Sequence, residues 1–417
     1  KILERMETGS DDGVPSASTE TFITVMKGWG ISGNIDEAEG LLRRLTARYE
    51  ESGDECLQPT TQVYNTLLKI LMKSKNMRSP ERAENLLRQM IASECAEIEH
   101  FVPNADTDSF RYVMECYLRN SRKMKSTSVA EKVEELETLM DKCENPNSNH
   151  HDIVNIKIKL LSQSRQKGSS AAEEAEALLF DMLERYQSGQ REDKTERPNA
   201  ASFIHTINCW GNTKSNESAQ RASKLLATLE EFYGDETKDG VECEDLKGDA
   251  RVYNAVMKTW ARSKSKSKAL ESKALFERLQ SLYEKTKDDD FAPNQKTYNN
   301  VINAAAYTRG SKEACQAALR VMVETFNLIR TDNHVDPNHV TFGLVLKGCS
   351  NLVSDMKKRE VIVENVFRKA ARDGFVSDFV IDSLLAATDA SFAERLLGGS
   401  ISDDGIQIPG EWTRNVN

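Results

Sequence analysis

Residues Phe203–Gly211 read "FIHTINCWG", an aromatic followed seven residues later by tryptophan. The same frame opens at Phe22 ("FITVMKGWG") and at Tyr253 ("YNAVMKTWA"). It extends to "YNTLLKILMK" from Tyr64, "FRYVMECYLR" from Phe110, "VNIKIKLLS" from Val154, "YNNVINAAAY" from Tyr298 and "FGLVLKGCS" from Phe342. Successive markers are separated by 42, 46, 44, 49, 50, 45 and 44 residues. A beat this regular is the signature of a repeat array. Proline keeps the same time. Pro59, Pro198, Pro293 and Pro337 stand five residues before a marker, Pro15 and Pro103 seven before, and Pro146 eight before. A residue without an N–H is harmless just ahead of a helix.

Within a unit the marker opens a helix. Phe22, Val25, Met26 and Trp29 fall at i, i+3, i+4 and i+7, one stripe of a 3.6-residue period. "SGN" breaks the chain, and "IDEAEGLLRRL" starts a second amphipathic helix with acids in its first turn. "PERAENLLRQM", "EEAEALLFDML" and "ESKALFERLQ" repeat it, and Ser79-Pro80-Glu81 reads as an N-cap followed by the first helical residue. "VNIKIKLL" alternates like a strand, and only the register of its neighbours makes it a helix. A two-helix unit cannot bury its stripe alone, so neighbours must stack. The expectation is all-α: a solenoid of helix-turn-helix repeats of about 45 residues. Eight units run from about residue 20 to 375, with a degenerate ninth near "FVIDSLLAA". Residues 1–19 read as the end of a truncated upstream unit, 20–395 as the array and 396–417 as a partly extended tail. The connection Gly234–Asp249 reads as a solvated loop.

Composition bounds the function. Hydrophobic residues make up 39% and charged residues 29%, as in folded proteins. No run approaches about eighteen consecutive apolar residues, which excludes a spanning helix. The eight cysteines stand singly, without a CxxC pair, so reduced thiols are expected. The chain opens at Lys1, which implies a missing N-terminus and leaves a targeting peptide untested. There is no Gly-rich phosphate loop. His150 and His151 lie in a polar connection and read as loop histidines, not as metal ligands. No cofactor, metal or catalytic residue is expected.

The net charge of −10 hides a segregation. Sixteen-residue windows from the eight markers together carry +18, leaving −28 for the other 289 residues. Lysine recurs five residues after the marker, at Lys27, Lys69, Lys159, Lys258 and Lys347. A basic stripe along one helix of each pair would follow a phosphate backbone. For Lys264, Lys266 and Lys268, at a first-helix end, interaction with the helix C-terminus is an equal alternative. Asparagine follows the marker at Asn65, Asn155, Asn254 and Asn299, where it helps neither helix nor core. Its amide offers a donor and an acceptor, suited to a base edge.

These residues resemble a known family. "VYNTLLKILMKSKN…ERAENLLRQM", "PNQKTYNNVINAAAYTRGSKEA", "ISGNIDEAEGLL" and "GFVSD" are similar to pentatricopeptide repeats, over about nine-tenths of the chain. The unit is longer than that family's usual one. Tetratricopeptide and HEAT arrays are the competitors, but the tetratricopeptide Trp–Leu-Gly spacing does not recur. The resemblance implies a right-handed superhelix without a C-terminal catalytic domain, binding single-stranded RNA one base per repeat in organellar RNA metabolism, in mitochondrion or plastid. It implies that the Asn after the marker selects the base with the unit's last residue. Those last residues are Asn199, Asn294 and Asn338, and for Asn65 either Asp106 or Asn104. Pyrimidines are implied at all four places, while Ile23, Arg111, Ile204 and Gly343 match no familiar pairing. A monomer is expected, with protein partners for downstream processing. The competing reading is a helical scaffold whose groove takes a protein partner.

Overall fold

The computed structural model describes residues 16–95, 102–121, 124, 126–143, 150–163, 169–188, 196–238, 247–398 and 408–416. The opening segment read as the end of an upstream unit therefore lies almost wholly outside the described residues. Contacts divide the chain into two compact bodies, residues 1–166 with 180–197, and residues 167–179 with 198–417.

The first body holds α1 (Thr19–Ser32), α2 (Ile35–Ser52), α3 (Thr61–Lys73), α4 (Ser79–Cys95), α5 (Thr107–Asn120), α6 (Ser126–Met140) and α7 (His151–Gln163). The division falls within α8 (Ser170–Ser188). The second body holds α9 (Ala200–Thr213), α10 (Asn216–Lys238), α11 (Ala250–Arg262), α12 (Lys268–Thr286), α13 (Gln295–Ala306), α14 (Lys312–Thr331), α15 (His339–Leu352), α16 (Met356–Asp373), α17 (Asp378–Ala387), α18 (Ala390–Leu397) and α19 (Gly410–Thr413). No strand occurs among the described residues. The all-α solenoid reading holds within each body: first helices pack on one another in a row, and each of them except α7 also packs on its own second helix. In the first body α1, α3, α5 and α7 form such a row, and in the second α9, α11, α13, α15 and α17.

All eight marker residues are buried, from Phe22, Phe110, Phe203, Tyr253 and Phe342 at 0% exposure to Tyr298 at 5%. "VNIKIKLL" is helical because its alternation also satisfies the helical period: Val154 pairs with Ile158 at i+4 and Ile153 with Ile156 at i+3, all four buried. The recurrent tryptophan bridges units. Trp210 Nε1 donates to Glu176 at 2.6 Å and Trp260 Nε1 to Ser223 at 2.9 Å, each acceptor on the preceding second helix. At the same offset the Tyr117 hydroxyl donates to Glu84. The second helices are also tied by charge. Arg82 reaches Glu39 at 2.7 Å, Lys132 reaches Glu84 at 3.2 Å, and Arg221 reaches Glu176 at 3.1 Å. In these three rungs the cation precedes a buried apolar residue (Ala83, Val133, Ala222) and the acid follows one in the unit before (Ala38, Ala83, Ala175). Burial alone would raise the Glu84 carboxyl, but Tyr117, Arg88 and Lys132 outweigh it and hold it below the usual range.

Several readings need correction. Ser79 is already helical, and its buried hydroxyl makes no hydrogen bond, so it does not cap α4. The supposed loop from Gly234 is helical as far as Lys238. A boundary at 396 would cut α18. The tail is not extended where it is described: α19 docks on α16, with Trp412 edge-on to Phe367 at 5.9 Å. Asn415 N–H donates to the Gly374 carbonyl at 2.9 Å and Arg414 to the Arg372 carbonyl at 2.7 Å, satisfying the last turn of α16.

Glycine after the tryptophan sets the spacing of two helix pairs, α1 with α3 and α9 with α11. A Cβ on Gly211 would sit 2.7 Å from the Thr259 hydroxyl on α11, and one on Gly30 would sit 2.6 Å from the Ile70 side chain on α3. Thr259 is buried and its hydroxyl is bound to the Ala255 carbonyl at 3.0 Å, so it cannot turn aside without losing that bond. Ile70, half-buried, has room to change rotamer. Gly211→Ala is therefore expected to cost about 1–3 kcal/mol in denaturant unfolding, as overpacking does, and Gly30→Ala distinctly less. Equal losses would contradict this account of the spacing.

Candidate functional site

The connections between units are built around one kind of residue. Asp106, Asn199, Asn294 and Asn338 are the N-caps of α5, α9, α13 and α15, each in extended backbone. Each side chain accepts from the backbone N–H three residues on: Ser109 at 2.8 Å, Ser202 at 3.2 Å, Thr297 at 3.3 Å and Thr341 at 3.0 Å. The hydroxyl of that residue in turn receives the cap's own N–H, closing a capping box. Proline directly before the three asparagines holds the residue ahead of it extended, which keeps the helix from starting earlier. The last residue of a unit therefore has a structural role whatever else it does.

The same side chains meet the asparagines that follow the markers. Asn65 Nδ2 donates to both oxygens of Asp106, at 3.0 and 3.2 Å. Asn299 Nδ2 donates to Asn338 Oδ1 at 3.3 Å, and Asn254 Nδ2 approaches Asn294 Oδ1 at 3.5 Å. The expected pairs that lie within one body are thus brought together, and Asp106, not the exposed Asn104, is the partner of Asn65. Asn155 differs, being buried on α7 at 6% exposure while Asn199 caps α9 in the other body.

Around Asn65 the pair opens into a cleft of about 640 Å³. Lys27, Lys69, Lys73, Asn65, Asp106 and Tyr112 line it, from three consecutive first helices. Lys27, Lys69 and Lys258 are exposed, Lys159 and Lys347 half-buried. Among the described residues none of the five makes an ion pair or a side-chain hydrogen bond, whereas second-helix cations such as Arg82, Lys132, Arg221 and Arg278 are matched by carboxylates. Lys258 is accessible yet partly desolvated by the helices around it; that, with Arg262 and Lys296 nearby, lowers its pKa from the ordinary lysine value. Lys268 goes the other way. It is 6% exposed and donates to the carbonyls of Ala261 and Ser263, both at 3.3 Å, so it closes the end of α11.

The units without asparagine are closed off in distinct ways. Arg111 is held by Asp108 at 2.5 Å, Asp152 at 3.5 Å and Glu115 at 3.6 Å, over the Tyr112 ring. A Cβ on Gly343 would lie 2.3 Å from the Phe379 ring of α17, so no side chain fits there. Ile23 is buried at 1% exposure. His151 begins α7 and His150 stands in the connection directly ahead of it, the two rings stacked at 4.5 Å. With Asp152 their ligand atoms lie within 4.8 Å of one another. However, His150 Nδ1 accepts the Asp152 N–H at 3.2 Å and Arg111 faces the Asp152 carboxylate, which opposes a cation there. Among the described residues no helix is long and apolar enough to cross a membrane.

The caps make a stability prediction that needs no ligand. Asn338→Ala should cost about 1–2 kcal/mol in denaturant unfolding, since it orphans the Thr341 N–H and the Asn299 amide. Asn338→Asp should keep most of that stability, because aspartate is the cap that Asp106 already provides. Equal stability of Asn338→Ala and wild type would show that the box is dispensable.

Comparison with known proteins bears on what this unit is. Residues 281–352 match the family model described as pentatricopeptide repeat domain. That segment takes in the end of α12, all of α13 and α14, and α15. No curated protein matches the chain at a significant level. Among solved structures, the pentatricopeptide repeat protein PPR10 in complex with an 18-nt psaJ RNA element is similar at 14% identity. The alignment covers 95% of this chain and 70% of that one, with a TM-score of 0.25. The same complex of a variant with three cysteines replaced by serine gives the same figures. A superposition at that score carries no argument about the fold, which rests on the helices themselves. The matched segment, under a fifth of the chain, contains the aromatic–asparagine start, the proline–asparagine end and the paired helices that recur along the described chain, and that segment is similar to a pentatricopeptide repeat domain.

Proposed function

We propose that this protein binds single-stranded RNA along its rows of first helices. One observation carries the reading: the lysines at one repeated offset, Lys27, Lys69, Lys159, Lys258 and Lys347, have no acidic partner among the described residues, while the second-helix cations Arg82, Lys132 and Arg221 are tied to carboxylates of the unit before. Cations that recur at one offset without an internal carboxylate are free to meet an external anion. Phosphates spaced along a strand supply it, and the amides of Asn65 and Asn254 lie on the same helices as Lys69 and Lys258, one turn earlier.

In this reading lysines position the backbone and asparagine pairs read bases, one per unit, with the 5′ end toward the N-terminus. Asn155 lies too deep on α7 to join the others on the same footing. The Asn254 and Asn299 units are neighbours, so their bases are adjacent, and both are pyrimidines. The role is binding, in organellar RNA metabolism of mitochondrion or plastid, as the family resemblance implies.

The test is the triple variant Lys69→Ala, Lys159→Ala and Lys258→Ala. It should weaken binding to every single-stranded RNA alike. Three lost phosphate contacts should also flatten the log–log salt dependence by about 2, at roughly 0.7 per contact on a single strand. Unchanged affinity and slope would place these lysines outside any RNA interface.

A further inference from the structure

The asparagine amides are not equally held. An amide can present its oxygen or its nitrogen to a given neighbour, and the hydrogen-bond network decides which. At Asn65 the decision starts from a carboxylate: Asp106 only accepts, so Nδ2 must face it, and Oδ1 is left beside the Ser109 hydroxyl at 2.7 Å. At Asn299 it starts from the backbone. The Thr341 N–H fixes Asn338 Oδ1 as an acceptor, so Asn299 turns Nδ2 toward it and Oδ1 to the Thr341 hydroxyl, again at 2.7 Å. The reverse orientation would set two acceptors face to face. It would also leave the Thr341 hydroxyl proton, whose oxygen already receives the Asn338 N–H at 3.1 Å, without Asn299 as acceptor.

Asn254 lacks the second hold. Thr297 occupies the same capping position and receives the Asn294 N–H at 3.0 Å, but its hydroxyl turns to Asn294 at 3.3 Å and not to Asn254. The nearest donor to Asn254 Oδ1 is the Asn300 amide at 3.5 Å, and that amide bonds more closely to the Asn254 carbonyl, at 3.1 Å. Ser109, Thr297 and Thr341 are all fully buried, so none of them touches a ligand directly.

We infer that the buried hydroxyls of Ser109 and Thr341 are positioning residues for base reading, each locking the amide of the preceding unit's asparagine in one orientation, and that the Asn254 unit, without such a lock, is the more permissive reader. The inference rests on the RNA-reading role proposed above. A locked amide offers the base one N–H and one lone pair at fixed places, whereas an unlocked one can rotate its donor and acceptor to suit either edge.

The experiment is selection from a random single-stranded RNA pool with the full chain, followed by affinities for the selected sequence with each place varied in turn. Wild type should discriminate more sharply at the places of Asn65 and Asn299 than at that of Asn254. Thr341→Val should lower discrimination at the Asn299 place roughly fivefold, the weight of one hydrogen bond, and nowhere else. Thr341→Ser should restore it. Thr297→Val loses the same capping contact and should leave base choice at the Asn254 place unchanged, which separates positioning from helix stability. Ser109→Ala gives an independent reading at the Asn65 place should Thr341→Val fail to fold. Discrimination that survives both losses, or a Thr297→Val variant that relaxes its place as much as Thr341→Val, would overturn the inference while leaving RNA binding intact. A wild type that retains no RNA would overturn the proposed function, and this inference with it.

Discussion

Gly211 brings α9 so close to α11 that a methyl group would collide with the Thr259 hydroxyl, and Gly30 does the same between α1 and α3. The rest of the structure hangs on this close approach of first helix to first helix. It seals the marker aromatics against the next unit. It also brings the end of one unit within hydrogen-bond reach of the first turn of the one before. The pair of Asn65 and Asp106 spans forty-one positions of sequence and closes at 3.0 Å. A wider spacing would leave the caps intact and the pairs broken. Between the helices that carry the pairs the glycine's place is held by Met72, Ala261 and Ala306, so close packing there is reached without it.

The two kinds of helix divide the charge between them. Second helices match many of their cations with acids, and rungs such as Arg82–Glu39 and Arg221–Glu176 hold one unit to the next. Partly exposed pairs of this kind add modest stability each, and their regularity says more about register than about energy. First helices keep lysines that nothing in the described chain neutralises. The overall negative charge is thus no argument against an anionic ligand, because it resides on helices that have spent much of it on one another.

Much of this was legible in the sequence. A buried stripe must recur at the helical period, so Phe22, Val25, Met26 and Trp29 announced a helix, and the spacing of markers and prolines announced the array. Periodicity reports which face is buried. It does not report which side chain reaches the neighbouring unit, since that depends on a distance between helices. Hence Asp106 and Asn104 were equal candidates by counting, and the locks by Ser109 and Thr341 left no trace in the pattern. Gly343 looked like an unfamiliar pairing residue because the ring that excludes a side chain there, Phe379, belongs to the next unit. Asn155 carried the right letter at the right place, yet it is buried. The tail read as extended because four helical residues are too short for a periodic signal, and only Trp412 against Phe367 reveals where they dock.

The most direct test of the central claim, that the first helices carry the RNA, is a lysine-acetylation footprint with and without a pyrimidine-rich single-stranded RNA, read residue by residue by mass spectrometry. Lys27, Lys69, Lys258 and Lys347 should lose reactivity when RNA is present, in proportion to its concentration, while Lys132, Lys273 and Lys369 on the second helices should not change. Protection confined to the second helices, or none anywhere at an RNA concentration that saturates binding, would contradict it.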